Sequence, residues 1–331
     1  MQHSRAATVV LLACLLALAL LPWFAEKYYI QLFTKMMLMA IFAMSLDLLV
    51  GYTGLVSLGH AAFFGLAGYA LAFAAPQYEA ASLWLSLPLA MAGSAVLALL
   101  IGVLVLRTSG IYFIMVTLAF AQMLFFVFHD TKIAGGADGI YVYAKPLAGI
   151  AGWQPFNLEN HTHFYFVVLA LLVAVYAFLR MLLASLFGRV IVGIRVNEQR
   201  MRSLGYRTFR YKLMCFVLSG ALAGMAGYFA AAQFGFVSPD ILGWHQSGGV
   251  LMMVILGGMG TLHGAMLGAF AMMLLELGFQ ALPAVGAVDV GKHWQLFMGG
   301  FIVFAVLLLP HGLLGLGRLA LRRVRAEAGD D

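Results

Sequence analysis

Few residues in this sequence have both the type and the setting to do chemistry. Asp47 and Glu276 are carboxylates inside apolar runs, and His60 and His263 each stand at the head of one. An ionisable group inside such a run is costly and marks a functional position by default. For both carboxylates the surroundings favour a structural role: Asp47 lies about one helical turn from a run's end, within reach of water or hydroxyls, and Glu276 can meet Lys292. A lone histidine in this setting reads as a hydrogen-bonded packing residue. The series Gly51, Gly54, Ser57, Gly59 and His60 is different, because it interrupts the apolar pattern between two long runs. Non-helical backbone at membrane depth is tolerated only where protein or a cavity covers it. Broken helices with free ends are also the usual means of binding the carboxylate and ammonium of a zwitterion in a membrane. These five residues are the candidate substrate pathway.

Other chemistry is excluded by what is missing. No phosphate-binding loop is present, since Gly291-Lys292 is followed by His293 and lacks the preceding glycine; any ATP chemistry needs a partner. There is no H-E-x-x-H pattern, and His161 and His163 have no further ligands beside them. Cys14 and Cys215 lie in separate apolar runs, without metal-ligand spacing, and read as small packing residues. No catalytic residue, metal site or cofactor is expected in this chain.

The elements that must position these residues follow from composition. Of 331 residues, 64% are hydrophobic and 10% charged. Soluble domains carry about a quarter charged residues, so this chain cannot clothe a water-facing surface. Apolar runs near the roughly 20 residues that cross a bilayer occur at 8–24, 28–50, 55–75, 83–106, 110–128, 164–183, 213–233, 247–261, 264–280 and 294–309. The expectation is an all-α, polytopic transmembrane helical bundle of about ten segments, of which 110–128, 247–261 and 264–280 are short or glycine-broken and open to a re-entrant path. Arg5 before the first run resembles a signal peptide. Leu20, Leu21, Pro22 and Trp23 offer no small-x-small cleavage pattern, so the first run is expected to be retained.

Charge sets the orientation. With both ends placed in the cytoplasm, fourteen Lys and Arg residues fall inside, eight of them between Arg180 and Lys212. Four fall outside: Lys27, Lys132, Lys145 and Lys292. Lys35 lies within a run and can snorkel outward. That asymmetry follows the positive-inside rule and accounts for the net charge of +6 without nucleic acid as a partner. The whole chain, 1–331, reads as one transmembrane domain, with an extracytoplasmic loop at 130–162, a basic helical loop at 185–212 and a basic cytoplasmic tail at 310–331. In the inner loop Glu198 and Arg202 form an i, i+4 pair in the favourable order, and Gly205 closes a charged helix before the next run. Gly220 and Gly224, and likewise Gly260, Gly264 and Gly268, have the spacing of close helix–helix contacts. His60-Ala-Ala-Phe-Phe-Gly65 and His263-Gly-Ala-Met-Leu-Gly268 share a pattern that is either the trace of an internal repeat or a coincidence of glycine-rich helices.

Several ordered stretches resemble one family. They are Ser45-Leu-Asp-Leu-Leu-Val-Gly51 continuing to Gly65, Arg107-Thr-Ser-Gly110 continuing to Gln122, the inner loop followed by Tyr211-Lys-Leu-Met-Cys215 continuing to Gly227, Val254-Ile-Leu-Gly-Gly-Met-Gly260 continuing to Gly264, and Pro310-His-Gly-Leu-Leu-Gly315. Together they resemble the branched-chain amino acid ABC permeases of the LivM type. The likeness runs from about Met39 to Gly315, and permeases for urea and short amides look similar. It implies a heteromeric importer of the bacterial inner membrane: this permease, a second homologous permease, two cytoplasmic ATPase subunits that bind ATP and Mg, and an extracytoplasmic substrate-binding protein. It also implies that Gly193, Arg195, Glu198, Arg202 and Gly205 belong to the loop that docks on the ATPase. Asp47 departs from the family, whose members often carry Asn there. From a different class, an ion-coupled secondary transporter would need a buried ionisable relay, for which Asp47 and Glu276 are poorly placed.

Overall fold

The computed structural model describes residues 5–75, 80–149, 156–282 and 291–308, together with 312, 313 and 315; the side chains of 5–14 and of 133 are outside that description. The expected tail at 310–331 therefore lies almost wholly outside the described residues. The chain forms α1 (Arg5–Phe24), α2 (Lys27–Thr53), α3 (His60–Ala74), α4 (Leu83–Val105), α5 (Ile111–Asp130), α6 (His161–Ala184), α7 (Leu186–Val196), α8 (Glu198–Ser203), α9 (Thr208–Phe234), α10 (Trp244–Gly257), α11 (Leu262–Gln280) and α12 (Trp294–Leu308). A small antiparallel ribbon pairs β1 (Ile140–Tyr141) with β2 (Phe236–Val237) and ties the α5–α6 connection to the α9–α10 loop.

Six helices are long and apolar enough to cross a membrane: α2, α4, α5, α6, α9 and α11. Burial sorts them into layers. In the most apolar stretch of α2, 89% of residues are buried, and 72% in α9, against 33% or less in α4, α5 and α6. α2 and α9 are therefore the centre of the bundle, with α3, α4, α6, α10 and α11 packed around them. The outer helices turn Leu85, Leu89, Leu100, Tyr112 and Met115 outward. Such continuous apolar exterior suits hydrocarbon and not water.

The helix limits differ from the apolar runs in two informative places. The run at 55–75 predicts a full span, but α3 begins only at His60 and has 15 residues. Gly54, at φ 75°, ends α2 in the left-handed region, and residues 55–59 follow as irregular chain although three of them are apolar. The run at 247–261 becomes α10, which starts earlier, at Trp244, and stops after 14 residues at Gly257. Positive φ at Gly258 and Gly260 turns the chain into α11. Two central elements thus stop short and restart, one at residues 54–59 and one at 258–261.

Candidate functional site: two helix breaks joined through Asp47 and Arg195

The two breaks meet. A Cβ on Gly51, in the last turn of α2, would land on the carboxylate of Asp47 and the backbone nitrogen of Gly260. Only a glycine lets α2 and the α10–α11 turn approach so closely. Across that contact the Gly260 N–H donates to Asp47 Oδ1 at 2.8 Å. Arg195, in the last turn of α7, donates through Nη1 to the carbonyl of Gly51. That carbonyl is one of the four a helix leaves unpaired at its C-terminus, and a cation there also meets the negative end of the helix dipole. The Arg195 side chain packs over Gly54 as well, its Cγ 3.3 Å from where a Cβ would be. Asp47 is fully buried, so the expected reach to water or hydroxyls is not found; a backbone amide meets Oδ1, and Oδ2 is buried without a hydrogen-bond partner.

The irregular stretch between α2 and α3 is covered unevenly: Ser57 and Gly59 are buried, Leu55, Val56 and Leu58 half-buried, and Gly54 exposed. The Leu58 N–H donates to Thr117 Oγ1 and the Gly59 N–H to Ser57 Oγ, both at 3.2 Å. A Cβ on Gly59 would strike the Thr117 carbonyl. The Ala61 N–H, at the start of α3, donates to Ser247 Oγ of α10 at 2.9 Å. One amide that a free helix end would offer a ligand is therefore already capped from a neighbouring helix.

His60 is completely buried. Its Nε2 lies 3.0 Å from Ser45 Oγ and 3.2 Å from Ser219 Oγ. Both hydroxyls already spend their protons on carbonyls, Ser45 on that of Phe42 at 2.7 Å and Ser219 on that of Ser45. The network therefore requires the imidazole proton on Nε2, shared between the two serine oxygens. The ring stacks on Phe42 with centroids 5.7 Å apart and meets Phe63 edge-on. This is the environment of a packing histidine.

At the loop, Glu198 is a hub. Oε1 accepts from Arg202 at 2.7 Å and from Thr208 at 2.9 Å, while Oε2 accepts from Lys212. Partial burial opposes its ionisation, but the bonds from Lys212, Arg202 and Thr208 outweigh that and hold its carboxyl below the usual range. Asn197 caps α8 by accepting from the Arg200 N–H at 2.9 Å. The far end closes with Gly205 at φ 87°, its N–H bonded to the Arg202 carbonyl and that of Tyr206 to the Met201 carbonyl. These two bonds make a Schellman cap. Gly193 admits Met201 so closely that a Cβ would stand 2.8 Å from its sulfur. α7 and α8 are folded onto each other and onto α9, and the segment from α7 to the start of α9 exposes Val196, Leu204, Tyr206 and Phe209 among Arg200, Arg207 and Arg210.

The remaining glycines lie at helix crossings. Gly220 faces Ala98 of α4 and Gly224 faces Ser94. Gly264 lies on the backbone of Gly257 and Gly258, and Gly268 on that of Met253 and Gly257. Glu276 accepts from Gln280 within its own helix at 3.3 Å. Among the described residues no three His, Cys, Asp or Glu side chains gather to hold a metal. The residues expected to line a pathway and those expected to dock a partner, separate in sequence, thus share one junction through Arg195. The sequence reading missed that link, along with Ser45, Ser219 and Ser247, because every partner lies on a distant helix.

A bundle of apolar helices, broken at its centre and braced there by a basic loop outside it, is a multi-pass membrane protein of the transport class. Residues 28–307 match the family described as branched-chain amino acid transport system / permease component, and the chain belongs to that family. It is 32% identical to the high-affinity branched-chain amino acid transport system permease protein LivM of Salmonella typhimurium, covering 96% of this chain and 77% of the relative. It is 32% identical also to LivM of Escherichia coli, over 94% and 76%. The autoinducer 2 import system permease protein LsrC of Photorhabdus luminescens is 30% identical over 47% of this chain and 46% of its own length. No solved structure matches the chain.

Proposed function

We propose that this chain is one permease subunit of an ABC importer that carries leucine, isoleucine and valine across the bacterial inner membrane. Two cytoplasmic ATPases, which bind ATP and Mg, drive transport; a second homologous permease completes the path, and an extracytoplasmic binding protein delivers substrate. Both termini face the cytoplasm, and about ten segments lie in the membrane. The observation that carries this reading is the near full-length likeness to two LivM permeases, joined to a loop whose basic, apolar-tipped surface suits docking on a motor subunit. The branched-chain substrates are favoured over urea or short amides by those relatives. Against an ion-coupled carrier, Asp47 Oδ1 accepts a backbone amide and His60 Nε2 lies between two serine oxygens.

Reconstitution tests the reading. The complete set of subunits in proteoliposomes takes up leucine only with ATP. Uptake by this chain without ATPases, driven by a proton or sodium gradient, overturns it.

A further inference from the structure

α2 is the most enclosed long helix in the bundle, and the exceptions to its burial are ordered. From Ile30 to Thr53 every residue is buried except Gln31, Leu32, Phe33, Lys35 and Met39. Gln31, Lys35 and Met39 are spaced four apart, so they lie one above another on a single face. The open stripe begins near the Lys27 end and closes beyond Met39. Neighbouring elements supply its flanks. Gln233 of α9 donates to the Gln31 carbonyl at 2.7 Å. Phe234 presents its ring to Lys35, with Nζ 5.7 Å from the centroid. Gln246 of α10 points its amide at the Met39 sulfur, 3.8 Å away.

Lys35 is the anomaly of this stripe. Eight residues into α2, it lies about 12 Å along the helix from Lys27, within the span. Among the described residues it pairs with no carboxylate, and its one partner is an aromatic face. A half-buried ammonium inside a membrane span without a counter-ion is expensive, and a ring face replaces only a little of its hydration. The Gln246 amide is similarly placed, since a thioether is a weak acceptor for it. An ammonium on α2 and an amide N–H from α10, both short of strong acceptors, thus lie along one stripe. The apolar members of that stripe, Leu32, Phe33 and Met39, suit an aliphatic side chain.

We infer that Lys35 and Gln246 form a carboxylate-binding subsite at the mouth of the translocation path, taking the α-carboxylate of an incoming amino acid. The inference rests on the importer reading and places substrate recognition on the Lys35 face of α2, apart from the break at residues 54–59. Phosphate from an anionic lipid headgroup shares this chemistry, and the test separates the two sources.

The experiment uses the full importer in proteoliposomes of neutral lipid and, in parallel, of lipid with a fifth phosphatidylglycerol. Lys35→Gln and Gln246→Leu are compared with Lys35→Arg, with copurification of the other subunits checked for each. Leucine uptake in Lys35→Gln is expected to fall at least tenfold in both lipids. Lys35→Arg is expected to stay within about threefold of the unaltered complex, and Gln246→Leu to fall several-fold. ATP hydrolysis stimulated by the loaded binding protein should persist in all three, because the defect lies in receiving substrate. Uptake by Lys35→Gln within twofold of the unaltered complex overturns the subsite. So does a loss that the unaltered complex reproduces merely by omission of anionic lipid. If Lys35→Gln does not assemble, Gln246→Leu decides: unchanged uptake overturns the proposal. An unaltered complex without ATP-dependent uptake sinks the importer reading and the subsite with it, whereas an active complex with an equally active Lys35→Gln sinks the subsite alone.

Discussion

Arg195 donates to the carbonyl of Gly51 although 144 residues separate them. One belongs to a short helix of the basic loop and the other to the last turn of the central helix. Gly51 in turn abuts Gly260, and Gly260 is bonded to Asp47. A displacement of α7 therefore acts directly on both interrupted helices.

Arg195→Ala should remove that linkage and leave the loop's own Glu198 network intact. The expected result is ATP hydrolysis within about twofold of normal and leucine uptake per ATP reduced roughly ten- to a hundredfold, the scale of one charge-assisted hydrogen bond of about 1.5–3 kcal/mol. Arg195→Lys should recover part of the loss. Parallel measurement of hydrolysis and uptake in proteoliposomes decides; equal loss of both would assign Arg195 to stability instead.

Asp47→Asn should be tolerated and Asp47→Leu should not. An asparagine oxygen still accepts from the Gly260 amide, whereas leucine leaves that amide buried and unpaired at a cost of about 1–3 kcal/mol. Thermal unfolding of the purified chain should show a Tm near that of the unaltered protein for Asn and a clear decrease for Leu. Equal decreases would mean that the charge of Asp47, and not its acceptor oxygen, matters.

Glycine positions divide by what surrounds them. A Cβ at Gly227 would collide with the Phe64 carbonyl, while one at Gly93 meets nothing within 4 Å. Gly227→Ala should destabilise by about 1–3 kcal/mol through overpacking, and Gly93→Ala should be neutral or slightly stabilising, by up to about 1 kcal/mol. Tm values of the two variants in one detergent give the comparison.

The carboxyl of Glu198 is held below its usual range by Lys212, Arg202 and Thr208 against the opposing effect of burial. A depressed folded pKa contributes stability that is fully present above the ordinary carboxylate pKa and lost as pH falls through the folded value. The Tm difference between the unaltered protein and Glu198→Gln should therefore be constant from pH 8 to about 6, then shrink in the acid range below the carboxylate pKa. A difference that grows on acidification would contradict the assignment.

Much of this was legible beforehand, for reasons that particular residues show. Glu198 and Arg202 are four apart on a short helix, so their pairing follows from helical geometry alone, and Gly205 is a helix stop by its backbone freedom. Apolar runs located most helices. Residues 55–58 misled because Leu55, Val56 and Leu58 suit a helix or a covered loop equally well; the left-handed Gly54 and the Thr117 carbonyl at Gly59 decide between them. The junction of Gly51, Asp47, Arg195 and Gly260 was hidden for a different cause. In an apolar chain periodicity says which face is buried, but nothing local says which helix lies against it. For the same reason the ring of Phe234 beside Lys35 could not be foreseen.

α9 is 27 residues long and free of proline, about 40 Å of continuous helix. Its first residue, Thr208, is bonded to Glu198 in the basic loop. Just past its last, the Gly235 carbonyl accepts from Val142 of the α5–α6 connection at 2.9 Å. Through Gly220, Gly224 and Gly227 it is fitted tightly to α3 and α4 along the way. It is a strut without a joint between the two faces of the membrane, so a push at the loop arrives at the opposite ribbon as the same push, and bending is left to the two glycine breaks beside it.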